Sequence, residues 1–206
     1  HLYLTGPVGS GKTTLLRVIE IDLRADESNQ VFFTYAPRYL RSSHSFLKRL
    51  CKEMDIKTER SYVDMLDNFE REIGVWKANN QTPVLLIDEA HKLTAPAFDF
   101  LHHVMNFVTA QQLLLGVVLA GQETLAQKNQ RRPEVSSRMQ AISLSSLTLA
   151  DAVELVTWRW RVASIQQNNP LPFNQEALHE MHKQALGLPR DLCSLAHRAL
   201  QFAYTQ

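Results

Sequence analysis

The sequence predicts an α/β fold, in which helices flank a parallel five-stranded sheet and a small all-helical domain follows. Two observations lead to this fold class. Short apolar runs alternate with helical patterns over most of the chain, and no strand pattern appears after Ser146. Such alternation is typical of βα units around a parallel sheet. The five apolar runs expected to be strands are Leu2–Leu4, Val31–Tyr35, Val84–Ile87, Leu113–Leu119 and Ala141–Leu144.

Helices are predicted wherever apolar residues recur every three to four positions, which lets one helix face rest on a sheet. Leu15 to Leu23 shows this pattern after the first strand, and Gln166–Pro172 reads as a polar loop near the end of the chain. The other predicted helices are Ser45–Met54, Tyr62 to Trp76, Phe98 to Val108, Leu149–Val162, Gln175–Leu186 and Pro189–Ala203. We therefore expect an α/β domain over 1–147 and a helical domain over 148–206.

Composition sets broad limits on the class of protein. The 206 residues fit one or two domains, and a net charge of +1 excludes neither nucleic acid nor acidic partners. The two cysteines, Cys51 and Cys193, lie far apart without metal-ligand spacing, so we expect two buried, reduced thiols. No apolar stretch approaches about 18 residues, and no signal peptide is visible. Because the chain begins at His1 without Met, we take it as a fragment or as a renumbered chain, in which an upstream targeting signal would not be seen. We expect a cytoplasmic protein.

Residues 6–13 read Gly-Pro-Val-Gly-Ser-Gly-Lys-Thr, a complete match to the phosphate-binding pattern G-x-x-x-x-G-K-[ST]. A strand precedes the motif and a helix follows it, which is the context that the motif needs. Its glycines let successive backbone N–H groups point into one concavity, at the positive end of the helix. Lys12 would reach the β- and γ-phosphates, and the Thr13 hydroxyl would be a Mg²⁺ ligand. The residues expected to bind a nucleoside triphosphate are Gly6, Pro7, Val8, Gly9, Ser10, Gly11, Lys12, Thr13 and Thr14.

The third strand ends in two adjacent acids, Asp88 and Glu89. Carboxylates at the carboxyl ends of parallel strands lie in the crevice where open α/β sheets bind ligands. Asp88 would hold Mg²⁺ opposite Thr13, and Glu89 suits a general base that polarises the attacking water. His91 follows as a hydrogen-bonded structural histidine or, alternatively, as a γ-phosphate sensor.

These motifs resemble those of AAA+ ATPases. Gly6–Thr13 and Leu86–His91 look like the Walker A and Walker B elements, and the helical tail looks like the lid. Gly116–Gln122 resembles the sensor-1 strand of one branch, where Gly-Gln replaces the more usual Asn or Thr. Ser136–Met139 resembles the helix end that carries the arginine finger, and Gly187–Leu192 resembles the sensor-2 motif. The set is similar to the ExeA/TnsC/TniB branch, which includes secretion-associated ATPases, transposon target-selection regulators and the MuB type.

The resemblance implies an ATPase that uses ATP and Mg²⁺, with further residues at the γ-phosphate. Gln122 would orient the lytic water or touch the γ-phosphate. Arg138 would act on a neighbouring subunit, which implies a homo-oligomer, although Arg131 or Arg132 could hold this role instead. Arg190 would reach the phosphates from the lid. A guanidinium near a helix start opposes the helix dipole, so a bound anion would explain it.

A basic segment follows the second strand, with seven basic and three acidic residues between 38 and 60. The resemblance implies that this region lines a pore around DNA, whereas a solvated helix face is the alternative. The candidate DNA contacts are Arg38, Arg41, Lys48 and Arg49.

Three hypotheses for function follow. The first is an ATPase that assembles on duplex DNA as a ring or filament and recruits a transposase or target-selection protein. The second is a secretion-associated ATPase of the ExeA type with a protein partner. The third is an ATP-gated switch that hydrolyses little. The basic segment favours the first hypothesis.

Overall fold

The computed structural model describes residues 1–36, 42–106, 114–164 and 169–205. Its strands are β1 (Leu2–Thr5), β2 (Asn29–Tyr35), β3 (Thr82–Asp88), β4 (Gly116–Gly121) and β5 (Gln140–Ser143). Its α-helices are α1 (Lys12–Arg24), α2 (Ser43–Glu53), α3 (Tyr62–Ala78), α4 (Ala95–Met105), α5 (Glu123–Gln130), α6 (Pro133–Ser136), α7 (Leu149–Ala163), α8 (Gln175–Gln184) and α9 (Pro189–Tyr204). A 3₁₀ turn spans Ala90–Lys92. Within these described ranges, no helix has the length and apolar character needed to cross a membrane.

The five strands form one sheet in the order β2-β3-β4-β1-β5. Every neighbouring pair is parallel, so all five carboxyl ends lie at the same edge. The register places Tyr35 of β2 beside Asp88 of β3, and Thr5 of β1 beside Gly121 of β4. The predicted parallel five-stranded sheet is confirmed. Its topology brings the ends of β1, β3 and β4 together, and the predicted motifs follow these three strands.

Several element boundaries differ from the prediction, and the differences at β4 and α8 concern packing and backbone conformation. β4 begins at Gly116 rather than at Leu113, which lies outside the described residues, and Leu115 is fully buried although it precedes the strand. Helix α8 ends at Gln184 rather than at Leu186, because Leu186 (φ 52°) and Gly187 (φ 69°) both adopt left-handed backbone conformations. A left-handed residue after the last turn is a common way to end a helix.

The chain divides into two compact units. The first comprises His1–Gly6 and Lys12–Ser143, and the second comprises Pro7–Gly11 and Leu144–Gln206. These units differ from the predicted domains 1–147 and 148–206 in the placement of residues 7–11 and 144–147.

The core of the first unit contains a cluster of aromatic side chains. Phe46 of α2 and Phe69 of α3 both meet Phe100 of α4, with ring centroids 5.8 and 6.1 Å apart. Edge-to-face pairs of this kind add stability beyond the burial of their area. Cys51 is also buried here, as predicted, and both cysteines are free thiols, but Cys193 is only half-buried.

The second unit packs α7, α8 and α9 around a small apolar core. Thr148 starts α7 with a capping box, since its side chain and that of Asp151 each accept from the other's backbone N–H. Asn174 caps α8 by accepting from the N–H of Ala177 at 2.8 Å. Such caps satisfy backbone donors that have no partner in the first helical turn. The buried core residues are Ala152, Val156, Leu178, Ala185 and Leu192.

Candidate functional site

The loop between β1 and α1 needs glycine at two positions. Gly9 and Gly11 have φ values of 87° and 96°, which residues with a β-carbon rarely adopt. The N–H of Ser10, between them, donates to the carbonyl of Pro7 at 3.3 Å. Val8 is exposed at the tip of the loop. The backbone of the loop therefore requires glycine at position 11, which the phosphate-binding pattern fixes, and also at position 9, which the pattern leaves variable.

Lys12 is the first residue of α1 and is 8% exposed. Its Nζ donates to the carbonyl oxygen of Gly6 at 2.9 Å. A cation at the N-terminus of a helix is unfavourable because the helix dipole is positive there. A bound anion would offset this repulsion, so the position of Lys12 fits a phosphate ligand.

Thr13 and Asp88 form a direct contact. The Thr13 hydroxyl donates to Oδ2 of Asp88 at 2.7 Å, and the N–H of Glu89 donates to Oδ1 of Asp88 at 2.7 Å. Asp88 is 1% exposed at the end of β3, where its main-chain carbonyl accepts from the N–H of Ala36 at 2.8 Å. A hydroxyl and a carboxylate side by side provide two oxygen ligands of the kind that Mg²⁺ prefers. The predicted pair of metal ligands fits that ion.

Glu89 carries its carboxylate on a left-handed backbone, with φ 57° and ψ 27°. Its Oε2 forms an ion pair with the ammonium group of Lys92 and lies 3.6 Å from Nε2 of His91. The hydrogen bond from Lys92 lowers the pKa of Glu89, opposed by a smaller effect of burial. The side chain is one-third exposed, so water can reach an ionised carboxylate here.

His91 has a structural hydrogen bond, which favours the first of its two predicted roles. Its Nδ1 accepts from the backbone N–H of Gln122 at 3.3 Å, an arrangement that leaves the proton on Nε2, facing Glu89. Burial lowers the pKa of His91, so the neutral ring is favoured. Gln122 precedes α5, and its half-buried side chain does not cap that helix. Its predicted role at the γ-phosphate stays a prediction.

Two lysines at this site were missed by the sequence analysis. Lys92 follows the acidic pair and binds Glu89. Lys128 of α5 donates to the carbonyls of His91 and Leu93, the latter at 2.9 Å. The spacing of Lys92 from Glu89 could have revealed the first pair, since residues three apart in a helical turn are neighbours. Nothing in the polar sequence of α5 signals the second.

The three candidate finger arginines have different surroundings. Arg138 and Arg131 are exposed. The guanidinium of Arg132 already has partners within its own chain. It forms an ion pair with Asp99 at 2.9 Å and lies 5.3 Å from the ring centroid of Phe98. Arg138 therefore stays the predicted finger, and Arg132 is the less available alternative.

Arg190 lies at the start of α9 in the second unit. Its backbone N–H donates to the carbonyl of Gly9 at 3.2 Å, and its side chain is exposed. Gly187, three residues earlier, has no room for a side chain: a β-carbon there would lie 2.6 Å from the carbonyl oxygen of Leu147. The packing around position 187 thus requires the glycine of the predicted sensor-2 motif.

The basic segment is only partly described. Arg38 and Arg41 lie outside the described residues. Lys48 is exposed on α2, whereas Arg49 forms an ion pair with Glu53 at 2.9 Å. Thr14, a predicted nucleotide-binding residue in the third position of α1, is exposed. Lys48 is therefore the described candidate that most readily offers its charge to a DNA backbone.

One curated relative is the replication factor C small subunit of Sulfolobus acidocaldarius. It aligns with this chain over 111 residues at 30% identity, and the alignment covers 53% of this chain and 28% of that protein. The Aeropyrum pernix ORC1 protein in complex with DNA has a similar fold, with a TM-score of 0.72, 16% identity and coverage of 100% of this chain and 55% of that one. The chain therefore spans about half of that structure's length.

Two other solved structures agree in fold. Cdc6p from Pyrobaculum aerophilum has a TM-score of 0.71 at 13% identity, covering 98% of this chain and 56% of that one. The Thermotoga maritima RuvB Holliday junction branch migration motor has a TM-score of 0.62 at 20% identity, covering 98% and 54%. The family model described as "AAA domain" matches residues 1–128, more than half of the chain. With its parallel sheet and its loop between β1 and α1, this chain belongs to the AAA domain family and has the AAA+ P-loop NTPase fold.

Proposed function

We propose that this chain binds ATP with Mg²⁺, hydrolyses the ATP, and assembles ATP-dependently on duplex DNA as a ring or filament. The observation that carries the proposal is the 2.7 Å contact between the Thr13 hydroxyl and the buried carboxylate of Asp88. It joins the end of the phosphate-binding motif to the end of β3. The adjoining Glu89 then supplies the general base that hydrolysis needs.

The roles of the residues follow from their chemistry. Lys12 and the N–H groups of the loop bind phosphate oxygens. Thr13 and Asp88 hold Mg²⁺, which when bound supplies positive charge against the phosphates. Glu89 accepts a proton from the attacking water. Its carboxylate is one-third exposed, so the attacking water can reach it.

Three side chains complete the proposed hydrolytic site. Gln122 offers an amide that can orient the water. Arg138, exposed on its own chain, acts on the nucleotide of a neighbouring copy, which makes hydrolysis depend on assembly. Arg190 binds the phosphates and thereby links the second unit to the nucleotide state.

We further propose that the partner is DNA and that the assembly recruits a transposase. Two proteins of similar fold are described in connection with DNA. The structure of the ORC1 protein was solved in complex with DNA, and RuvB is described as a Holliday junction branch migration motor. The exposed charge of Lys48 supports backbone contacts. The recruitment of a transposase rests on the resemblance of Gly116–Gln122 and Gly187–Leu192 to the transposition branch.

The ATPase proposal is tested by two variants and a matched control. Lys12→Ala removes a cation that would otherwise compensate phosphate charge, and we expect ATP binding to be lost in calorimetry. Glu89→Gln should keep binding and slow phosphate release by about 10²–10⁴-fold. Glu20→Gln is the control, since Glu20 is a carboxylate of the same unit that binds Arg17 and Arg24 instead. Unchanged turnover in Glu89→Gln would show that Glu89 is not the general base. Strong binding with no turnover in wild type would favour an ATP-gated switch.

The finger is tested by mixing two defective variants. Arg138→Ala should bind ATP and lose turnover and assembly, whereas its mixture with Glu89→Gln should regain part of the activity at mixed interfaces. Arg132→Ala is the matched comparison, because its guanidinium already binds Asp99. If the mixture stays inactive and Arg131→Ala behaves as expected of Arg138→Ala, the finger is Arg131.

DNA binding is tested by the fluorescence anisotropy of a labelled duplex with a non-hydrolysable ATP analogue at two salt concentrations. Many copies in an assembly would add weak phosphate contacts, so we expect binding that falls steeply with salt and depends little on sequence. Reversing Arg41 and Arg49 to Glu should abolish it and leave ATP binding intact, whereas Arg24→Glu serves as the control. Absence of binding at low salt would favour a secretion-type ATPase with a protein partner.

A further inference from the structure

The turn after β3 is held by a lysine from another element. The Nζ of Lys128, on α5, donates to the carbonyl oxygens of His91 and Leu93, the latter at 2.9 Å. These carbonyls lie at the end of the 3₁₀ turn, where backbone acceptors have no partner within the turn. Lys128 thus caps the turn with one side chain.

The same turn is fixed a second time by the end of β4. A β-carbon on Gly121 would lie 2.9 Å from the backbone nitrogen of His91, so the two backbones are in close contact. One residue further on, the N–H of Gln122 donates to Nδ1 of His91 at 3.3 Å. The turn is therefore clamped at its middle by β4 and at its end by α5.

The backbone conformation of Glu89 depends on these contacts to the turn. Glu89 precedes the turn with a φ of 57°, a left-handed conformation that residues other than glycine keep only where the surrounding structure holds them in it. The carbonyl of Glu89 accepts from the N–H of Lys92 at 2.8 Å, which makes Glu89 part of the hydrogen-bonded turn. Release of the turn would let Glu89 relax to ordinary backbone angles and move its carboxylate.

Lys128 itself is poorly solvated. It is half-buried, and burial, reinforced by Arg132, lowers its pKa. A lysine whose only task is solubility would extend into water instead. Its placement is thus explained by the two carbonyls that it holds.

We propose that Lys128 is a positioning residue for hydrolysis, which acts on Glu89 through the turn that follows β3. The inference rests on the proposed ATPase function. Lys128 touches neither of the two residues that bind Mg²⁺ in that proposal. Its loss should therefore lower kcat and leave ATP affinity unchanged.

The first experiment compares kcat, KM and equilibrium ATP binding in three variants. Lys128→Met keeps the length of the side chain but removes its donors, and we expect kcat to fall by about 10-fold or more, since small misplacements of catalytic groups cost up to about 100-fold. KM and ATP affinity should stay within about twofold. Lys128→Arg should restore much of kcat. Lys77→Met is the matched control, because Lys77 is a half-buried helical lysine that donates to Thr82 at 3.0 Å, at the opposite end of β3.

The second experiment places Lys128→Met in the Glu89→Gln background, with single-turnover phosphate release as the readout. If Lys128 acts only through Glu89, the added change should have no further effect there. An equal fold-loss in both backgrounds, or wild-type kcat in Lys128→Met, would overturn the proposal. If Lys128→Met fails to fold, Gly121→Ala replaces it, because the added β-carbon would contact the backbone nitrogen of His91 in the same turn. This variant must lower kcat as expected for Lys128→Met, and it must have no further effect in the Glu89→Gln background. Fast turnover in Glu89→Gln alone would instead contradict the proposed ATPase mechanism and leave the two failures distinct.

Discussion

Replacing Thr13 by Val should destabilise the first unit even without nucleotide or Mg²⁺. Val matches the shape of Thr but has no hydroxyl, so Oδ2 of Asp88 loses the donor that lies 2.7 Å away. A hydrogen bond to a charged group contributes about 1.5–3 kcal/mol. Because Thr13 is exposed, water can replace part of the lost bond, although Asp88 is only 1% exposed. We therefore expect a loss of about 1.5–2 kcal/mol, near the lower limit of that range.

Urea denaturation followed by Trp76 fluorescence would measure this loss in the relevant unit. Trp76 packs on Phe32 with ring centroids 5.3 Å apart, and the other two tryptophans, Trp158 and Trp160, lie in the second unit. Changing both to Phe leaves a single reporter. With an m-value of about 2 kcal/mol per molar urea, the midpoint should fall by roughly 0.7–1 M.

Thr13→Ser is the matched control, since it keeps the hydroxyl and loses only an exposed methyl group. Its free energy of unfolding should stay within about 0.5 kcal/mol of the wild-type value. Equal midpoints for Val and wild type, or equal losses for Val and Ser, would refute the assignment of the energy to the hydroxyl–carboxylate bond.

Four further predictions concern other parts of the chain. Gly187→Ala should destabilise the second unit by about 2–4 kcal/mol in thermal unfolding, because it adds a β-carbon 2.6 Å from a carbonyl oxygen at a φ of 69°. Gly74→Ala, in open space within α3, should instead stabilise by about 0.5–1 kcal/mol. Lys92→Met should raise ATP turnover a few-fold in phosphate-release assays, because it removes the ammonium that now holds the proposed base. With Ellman's reagent on native protein, Cys193 should react and Cys51 should not, since burial raises the pKa of Cys51 to about 11.

The parts of the site that sequence reasoning predicted are those encoded by neighbouring residues. The loop around Gly9 and Gly11 is a contiguous motif, and Asp88 ends an apolar run whose strand character is evident. Strand length was harder to predict at β4, because an apolar run does not distinguish a strand from a buried segment beside it. Leu115 is such a residue, fully buried but outside the strand.

The contacts that could not be predicted join residues distant in the chain. Lys128 lies in a polar helix whose sequence is typical of a solvated surface, and it contacts a turn about 35 residues earlier only because β4 lies beside β3. The ion pair between Arg132 and Asp99 has the same origin, since Asp99 lies in α4 whereas Arg132 follows α5, and the two helices belong to different βα units. Such contacts depend on strand order, which single-residue patterns do not specify.

The place of β2 at the border of the sheet has a consequence for the behaviour of the protein in concentrated solution. Among the residues that the structure describes, its seven residues, Asn-Gln-Val-Phe-Phe-Thr-Tyr, pair only with β3 and therefore on one side. They contain no charge, proline or glycine, and they combine aromatic with β-branched side chains, which is the composition of segments that aggregate as cross-β fibrils. In the folded chain, Arg17 covers the ring of Phe33, with its guanidinium carbon 3.5 Å from the ring centroid. Loosening of α1 would uncover this border strand, so partial unfolding should lead to self-association before complete unfolding does.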